Sequence, residues 1–176
     1  MKVELIYSPG ERERMLAKRA IWMTMGKTEE PKTNISSELL GKILNARHSP
    51  IRVLNFCFKI TDIPSNISVH LARHVHATPF VQSLRNDRQE YFDGDAAPRN
   101  TPINMLFYCN AEELMVIANK RLCGRASAKT QEVVKMMCEE AGKAMPEIKP
   151  YLVPMCFYHG GICHEIVSCG KRERTV

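Results

Sequence analysis

The chain changes its hydrophobic period once and sharply. Leu54, Phe56, Phe58 and Ile60 alternate with Asn55, Cys57, Lys59 and Thr61, so residues 53–61 present one apolar and one polar side, the pattern of a half-buried strand. Such a strand needs a sheet to join and a layer to cover its apolar face, and the segments around it have helical spacing. The order of helices, strand, helix, loop and helices reads as a mixed α/β or α+β fold, with part of the sheet hidden from periodicity alone.

Ser8 and Pro9 ahead of Glu11 predict a capped helix continued by Leu16, Ala20 and Met23 and ending near Gly26. After a polar loop over 27–34, Ser36 or Ser37 caps a second helix through Leu39, Leu40, Ile43 and Leu44. Beyond the strand, 62–66 is expected to turn. Residues 67–76 then read as a helix, with Ile67, Leu71 and Val75 on one side and His70, Arg73 and His74 on another. Pro79 ends it, and 85–100, with Gly94 and Pro98, is a loop expected to be mobile without ligand. Asn110 with Glu113 resembles a capping box and opens a helix through Leu114, Ile117, Ala118 and Leu122. A last helix over 126–145 carries Val133, Val134, Met137 and Ala141, before Pro146 and Pro150 break it.

The 176 residues, 44% of them hydrophobic, suit a single domain over 1–176 with a Cys-rich tail from 154 to 176. Apolar stretches stay far below the roughly 20 residues that cross a bilayer. The N-terminus lacks the basic-then-apolar plan of a signal peptide, so a cytoplasmic protein without a membrane span is expected. Seven Cys is an odd number, and Cys57, Cys109, Cys123 and Cys138 lie in apolar or periodic segments that suit reduced core thiols. The formal charge of +6 is dispersed, with no run of five like charges and no zinc-finger, homeodomain or RNA-recognition signature. No nucleic-acid polymer is expected as partner. Scattered Arg and His suit a pocket for small anions.

Three constellations could carry chemistry. The densest, VHLARHVHATPFVQSLR at 69–85, holds His70, Arg73, His74, His76, Gln82, Ser83 and Arg85. Guanidinium groups bind phosphate bidentately while imidazoles and hydroxyls complete a ring of donors, so the occupant is an anion unless the segment is only a solvated basic helix face. His70 and His74 also have a metal-ligand spacing, without an acidic third ligand beside them. In the second, NAEELMVIANKRLCGR at 110–125, Arg121 and Arg125 either complement the helix dipole or face a ligand, and Cys123 reads as a structural thiol. The third, PMCFYHGGICHEIVSC at 154–169, could bind zinc, form a redox pair or pack as a thiol-rich loop. No metal is expected, Cys156, Cys163 and Cys169 being the candidates if one is bound.

At these positions the chain resembles the flavin-dependent thymidylate synthases. Their signature is Arg-His-Arg, seven residues, Ser, and Arg two positions on; here Arg73-His74-Val75 is followed at that spacing by Ser83 and Arg85. His48-Ser49-Pro50 with NFCFKI resembles the stretch before that signature, and NAEELMVIANKRLCGRAS resembles the helix ending in an essential arginine. The tail VPMCFYHGGICHE with SCG is similar to that of a short, Cys-bearing branch, so the resemblance spans roughly 36–170. It implies a single α+β domain with a mostly antiparallel sheet packed by helices, assembled as a homotetramer with sites at its junctions. The implied activity is reductive methylation of dUMP to dTMP, with FAD as cofactor and methylenetetrahydrofolate and NADPH as co-substrates, and with no enzyme nucleophile. By resemblance, His48, Ser49, Arg73, His74, Val75 and Asn110 would bind FAD. His70, Arg73, Gln82, Ser83, Arg85, Arg99 and Arg121 would bind the nucleotide, with Arg121 the catalytic group that stabilises the N3-deprotonated pyrimidine. Val75 replaces the second signature Arg, Thr78 a frequent Ser, Val81 a usual acid and Arg52 a usual Glu. These departures keep a second reading open: a flavin- or nucleotide-binding relative with altered, hydroxymethylating, or lost activity. A zinc-binding module organised by the tail is a third.

Overall fold

The period-two segment becomes the spine of a sheet. In the computed structural model, which describes residues 1–88 and 92–171, β1 (Lys2–Tyr7), β2 (Asn55–Pro64), β3 (Ala77–Val81) and β4 (Pro102–Asn110) form an antiparallel sheet in the order β1-β2-β4-β3. The helices are α1 (Glu11–Thr24), α2 (Ser37–Asn45), α3 (Ser65–Ala72), α4 (Ala111–Arg121), α5 (Ala128–Ala144) and the short α6 (Met155–Tyr158). The fold is α+β, as expected.

Phe56, Phe58, Ile60 and Ile63 of β2 and Ile103, Met105, Phe107 and Cys109 of β4 turn to one face and are buried with Leu114, Ile117, Val134 and Met137 of α4 and α5. Burying each large apolar side chain stabilises by roughly 1.5–3 kcal/mol, so this face is the thermodynamic centre of the molecule. Ile60 and Ile63 both point inward because a bulge between them adds a residue to the strand, with Asp62 in the left-handed region at φ 55°. The bulge replaces the turn predicted at 62–66: β2 runs on to Pro64 and α3 starts at Ser65.

α3 is shorter than its pattern suggested. It stops at Ala72 rather than reaching His76, and Val75, predicted on its apolar side, is 85% exposed. Pro79 lies in β3, an edge strand, where its missing N–H costs no ladder bond to a second neighbour. At the other end of the chain Gly10, not Ser8, caps α1, and its N–H donates to Glu13 Oε2 at 2.8 Å. Ser36 caps α2 and Asn110 caps α4 through their side-chain oxygens.

The far ends of the fold are tied by one ion pair. Arg14 of α1 donates to both carboxylate oxygens of Glu147 at 2.8 and 3.0 Å, and Ser37 Oγ donates to Oε1 at 2.7 Å. The Arg14 guanidinium pulls the Glu147 carboxyl down to about 2. Of the predicted loop at 85–100, residues 89–91 lie outside the described residues. Its described part includes the 3-10 turn Asn86–Arg88 and a bond from Gly94 N to Asn86 Oδ1. No helix among the described residues is long and apolar enough to cross a membrane.

Candidate functional site

The early end of α3 builds the site. Arg73 is the helix cap, His74 N donates to Leu71 O at 3.1 Å, and Ala77 N donates to His74 O at 3.0 Å, so the chain turns directly into β3. This turn sends Arg73, Val75 and His76 outward and His74 inward, to 8% exposure. His70 and His74 therefore do not share a helix face, and the i, i+4 metal spacing is not realised. Among the described residues no group of three or more His, Cys, Asp or Glu converges as a metal site.

His74 is held on both ring nitrogens. Arg121 Nε donates to His74 Nε2 at 3.0 Å, and His74 Nδ1 lies 3.0 Å from Glu113 Oε1. A guanidinium has no acceptor, so Nε2 must carry the lone pair, and Nδ1 carries the proton and donates to Glu113. The imidazole is neutral in this arrangement: burial and the Arg121 charge push it down to about 4. Arg121 Nη2 also donates to His70 O at 2.9 Å, which fixes its guanidinium plane against the end of α3. Burial raises the Glu113 carboxyl above its ordinary value, with His76 opposing the rise.

A cleft of about 570 Å³ opens beside this network, lined by His70, Arg73, Gln82 and Arg99 together with Ser65, Ser68, Val81 and Ile103. It is large enough for a nucleotide. The Arg73 and Arg99 side chains face it and neither bonds to or pairs with another described side chain. His70 is steadied by Thr130 Oγ1, 2.7 Å from its Nδ1, and Thr130 in turn by Ser127. Gln82 accepts from Asn104 N at 2.9 Å, so its amide is oriented by β4. Ser83 and Arg85 follow on the exit from β3 but do not line the cleft; Ser83 Oγ accepts from Arg85 N, and the Arg85 guanidinium forks onto Asp87 at 2.9 and 2.8 Å.

A smaller cleft of about 330 Å³ is lined by Arg52, His76, Asn110, Glu112, Glu113 and Val116. Arg52 pairs with Glu112 at 2.5 Å across it. The segment 73–76 thus contributes Arg73 to one cleft and His76 to the other. His48 and Ser49 are exposed at the start of the 3-10 turn Ser49–Val53, and like Val75, His74 and Arg121 they line neither cleft. Of the predicted tail at 154–176, residues 172–176 lie outside the described residues; its described part folds back on the end of α4 and encloses a cavity of about 580 Å³ with Cys123, Cys156, Cys163, Cys169, His159 and His164 on its walls. All seven thiols are free.

Sequence reasoning missed Glu113 and Thr130 as members of this constellation. Glu113 was legible only as half of a capping box, yet just one half forms: Asn110 Oδ1 accepts from Glu113 N at 2.9 Å, while the carboxylate turns to His74. A signal was present, since Glu113 lies four residues before Ile117 on the apolar stripe of α4.

The fold matches known structures. A flavin-dependent thymidylate synthase of Helicobacter pylori, crystallised with FAD and dUMP, superposes with a TM-score of 0.69 at 16% identity, covering 85% of this chain and 98% of that one. A second structure of a Helicobacter pylori thymidylate synthase with FAD and dUMP gives 0.68 at 16% identity, over 86% and 99%. A UMP/dUMP methylase of Streptomyces cacaoi, bound to 5-bromo-dUMP, gives 0.66 at 15% identity, over 85% and 93%. No protein-family model matches the sequence, and no curated protein matches it.

Proposed function

We propose that this chain is a flavin-dependent enzyme acting on dUMP, and that its reaction is the reductive methylation of dUMP to dTMP. The observation that carries this reading is the cleft with two uncommitted guanidinium groups, Arg73 and Arg99, on a fold shared with two thymidylate synthase structures that hold FAD and dUMP. A phosphate monoester needs charged donors free to fork onto it, and a guanidinium already spent on a carboxylate, as in Arg85, is a poorer candidate until that pair opens.

The residues present also suit a dinucleotide cofactor. Arg73 supplies an exposed cation, and Asn110 and His76 supply polar groups along the adjoining cleft. These three would hold FAD, with His48, Ser49 and the Val75 backbone at its margin. When bound, FAD would supply hydride transfer to the carbon delivered by methylenetetrahydrofolate, with NADPH as the reductant. The protein's part is electrostatic. Arg73 and Arg99 fix the phosphate, His70 and Gln82 line the pyrimidine side, Ser83 and Arg85 close on the nucleotide from the strand exit, and Arg121, presented from a neighbouring subunit, would face the negative charge of an N3-deprotonated ring.

Arg121 lines neither cleft of its own chain, which fits sites shared between subunits of a cytoplasmic homotetramer. The uncovered sheet face supports assembly: Ile6, Phe80, Leu106 and Tyr108 are exposed apolar side chains there, at 50, 61, 38 and 37%. A monomer by light scattering would contradict this part. The reaction is tested with 5-tritiated dUMP, FAD, methylenetetrahydrofolate and NADPH: tritium release with formation of dTMP is expected. A second reading is a relative with hydroxymethylating or lost activity. It is favoured by Val81 on the cleft wall, where the resemblance expects an acid. Hydroxymethyl product supports the first form of that reading, nucleotide binding without tritium release the second.

A further inference from the structure

Glu113 lies on the apolar stripe of α4, and helix capping does not account for the inward turn of its carboxylate. It sits in the first turn of α4, where an acid ordinarily stays in water and favours the helix dipole, or reaches back to the cap residue. Here it is 4% exposed. Burying a carboxylate is costly unless it is paired and hydrogen-bonded, so its inward course has to be repaid by the contact it makes. Its bond to His74 Nδ1 is that contact, and His74 passes it on to Arg121. The other ionisable groups that act on Glu113 are Glu112 and His76, which line the smaller cleft with it, and the buried Cys109 thiol. None of them replaces His74 as a donor to it in the described structure.

We propose that Glu113 is a positioning residue that acts through His74 on Arg121. By accepting the Nδ1 proton it holds the imidazole in the tautomer whose Nε2 lone pair faces Arg121 Nε. Without an acceptor at 113 the buried Nδ1–H is unsatisfied, and a ring flip or tautomer change that relieves it removes the acceptor for Arg121. Arg121 keeps its bond to His70 O but loses the second point that fixes its plane. With Nε on His74 and one Nη2 proton on His70, three N–H groups of the guanidinium remain for a ligand, and their direction is what the relay sets. The consequence for the nucleotide rests on the proposed function; the tautomer does not.

The test uses the full chain and the variants Glu113→Ala and Glu113→Gln, the second of which keeps an acceptor oxygen without the charge. Nitrogen-15 shifts of the His74 ring, assigned with His74→Gln, are expected to show the proton on Nδ1 in the native protein and in Glu113→Gln, and loss of that single tautomer in Glu113→Ala. Titration with dUMP is expected to show binding weakened about tenfold or more in Glu113→Ala and within about threefold of native in Glu113→Gln. A native ring protonated on Nε2, or native dUMP affinity in folded Glu113→Ala, overturns the proposal. So does equal damage by Gln and Ala. Should Glu113→Ala not fold, the native tautomer and the Gln variant still decide it. Native protein that does not bind dUMP at all overturns the function proposed above and leaves the relay to be judged by the ring shifts alone.

Discussion

Mild acid should weaken this protein through one residue. His74 is pushed down from its ordinary 6.5 to about 4 by burial and by the Arg121 guanidinium, so the folded state resists a proton that the unfolded chain accepts. Stability is then present above about pH 6.5 and lost as pH falls toward 4, because the unfolded state binds more protons across that window. At pH 5 an unfolded imidazole is about 97% protonated, whereas one with the folded value of about 4 is about one-tenth protonated. Integrating from pH 7 to pH 5 gives a loss of about 2 kcal/mol. Glu113, raised by burial, acts in the opposite sense. The measurement is therefore a difference: urea unfolding free energies at pH 7, 6 and 5 for the native protein and for His74→Gln, which can still bridge Arg121 and Glu113 but does not titrate. The native curve should fall more steeply, by about 2 kcal/mol over the interval. Parallel curves would refute the reasoning, since they require an imidazole that takes its proton as easily folded as unfolded.

Phe58, fully buried on β2 beside Phe56, should cost about 3–5 kcal/mol when cut to Ala, measured by denaturant unfolding. Arg73→Ala and Arg99→Ala should each weaken dUMP binding by about tenfold or more, by titration calorimetry, without lowering the melting temperature, because neither side chain supports the fold. For the tie between α1 and the 3-10 turn Pro146–Tyr151, the Glu147 carboxyl is held down from 4.5 to about 2, so its stabilisation is complete above 4.5 and is lost as pH falls toward 2. Arg14→Ala should lower stability at pH 7 by about 1–2 kcal/mol, with partial solvent screening allowed for, and flatten its fall below pH 4.5 in acid unfolding followed by circular dichroism.

What could be read in advance, and what could not, follows from how each element meets its neighbours. β2 announced itself because one face is core and the other is not. β4 did not: Leu106 and Tyr108 on its outer face are as apolar as Met105 and Phe107 on its inner one, so alternation disappears. β3 was masked by Pro79, which an edge strand tolerates but which reads as punctuation. The end of α3 was misplaced because Val75 continues the apolar spacing while tertiary structure turns the chain outward there. At the site, Arg73, His70, Gln82 and Arg99 line one cleft, whereas Ser83, Arg85 and Arg121 do not. The role of His74 as a buried link, and of Glu113 as its anchor, depends on two helices meeting across a sheet connection, which no local pattern encodes. The tail cysteines were visible as a cluster, and the structure places them with Cys123 around a cavity rather than as a converging ligand set.

On the proposed function, the clefts on either side of 73–76 hold a flavin and a pyrimidine nucleotide together. The most direct measurement is the visible absorbance of the purified protein, supplied with FAD and separated from excess, before and after addition of dUMP. A retained flavin spectrum that dUMP perturbs saturably in the native protein, and far less in Arg73→Ala, is the expected result. Protein that retains no flavin and gives no response to dUMP would contradict it.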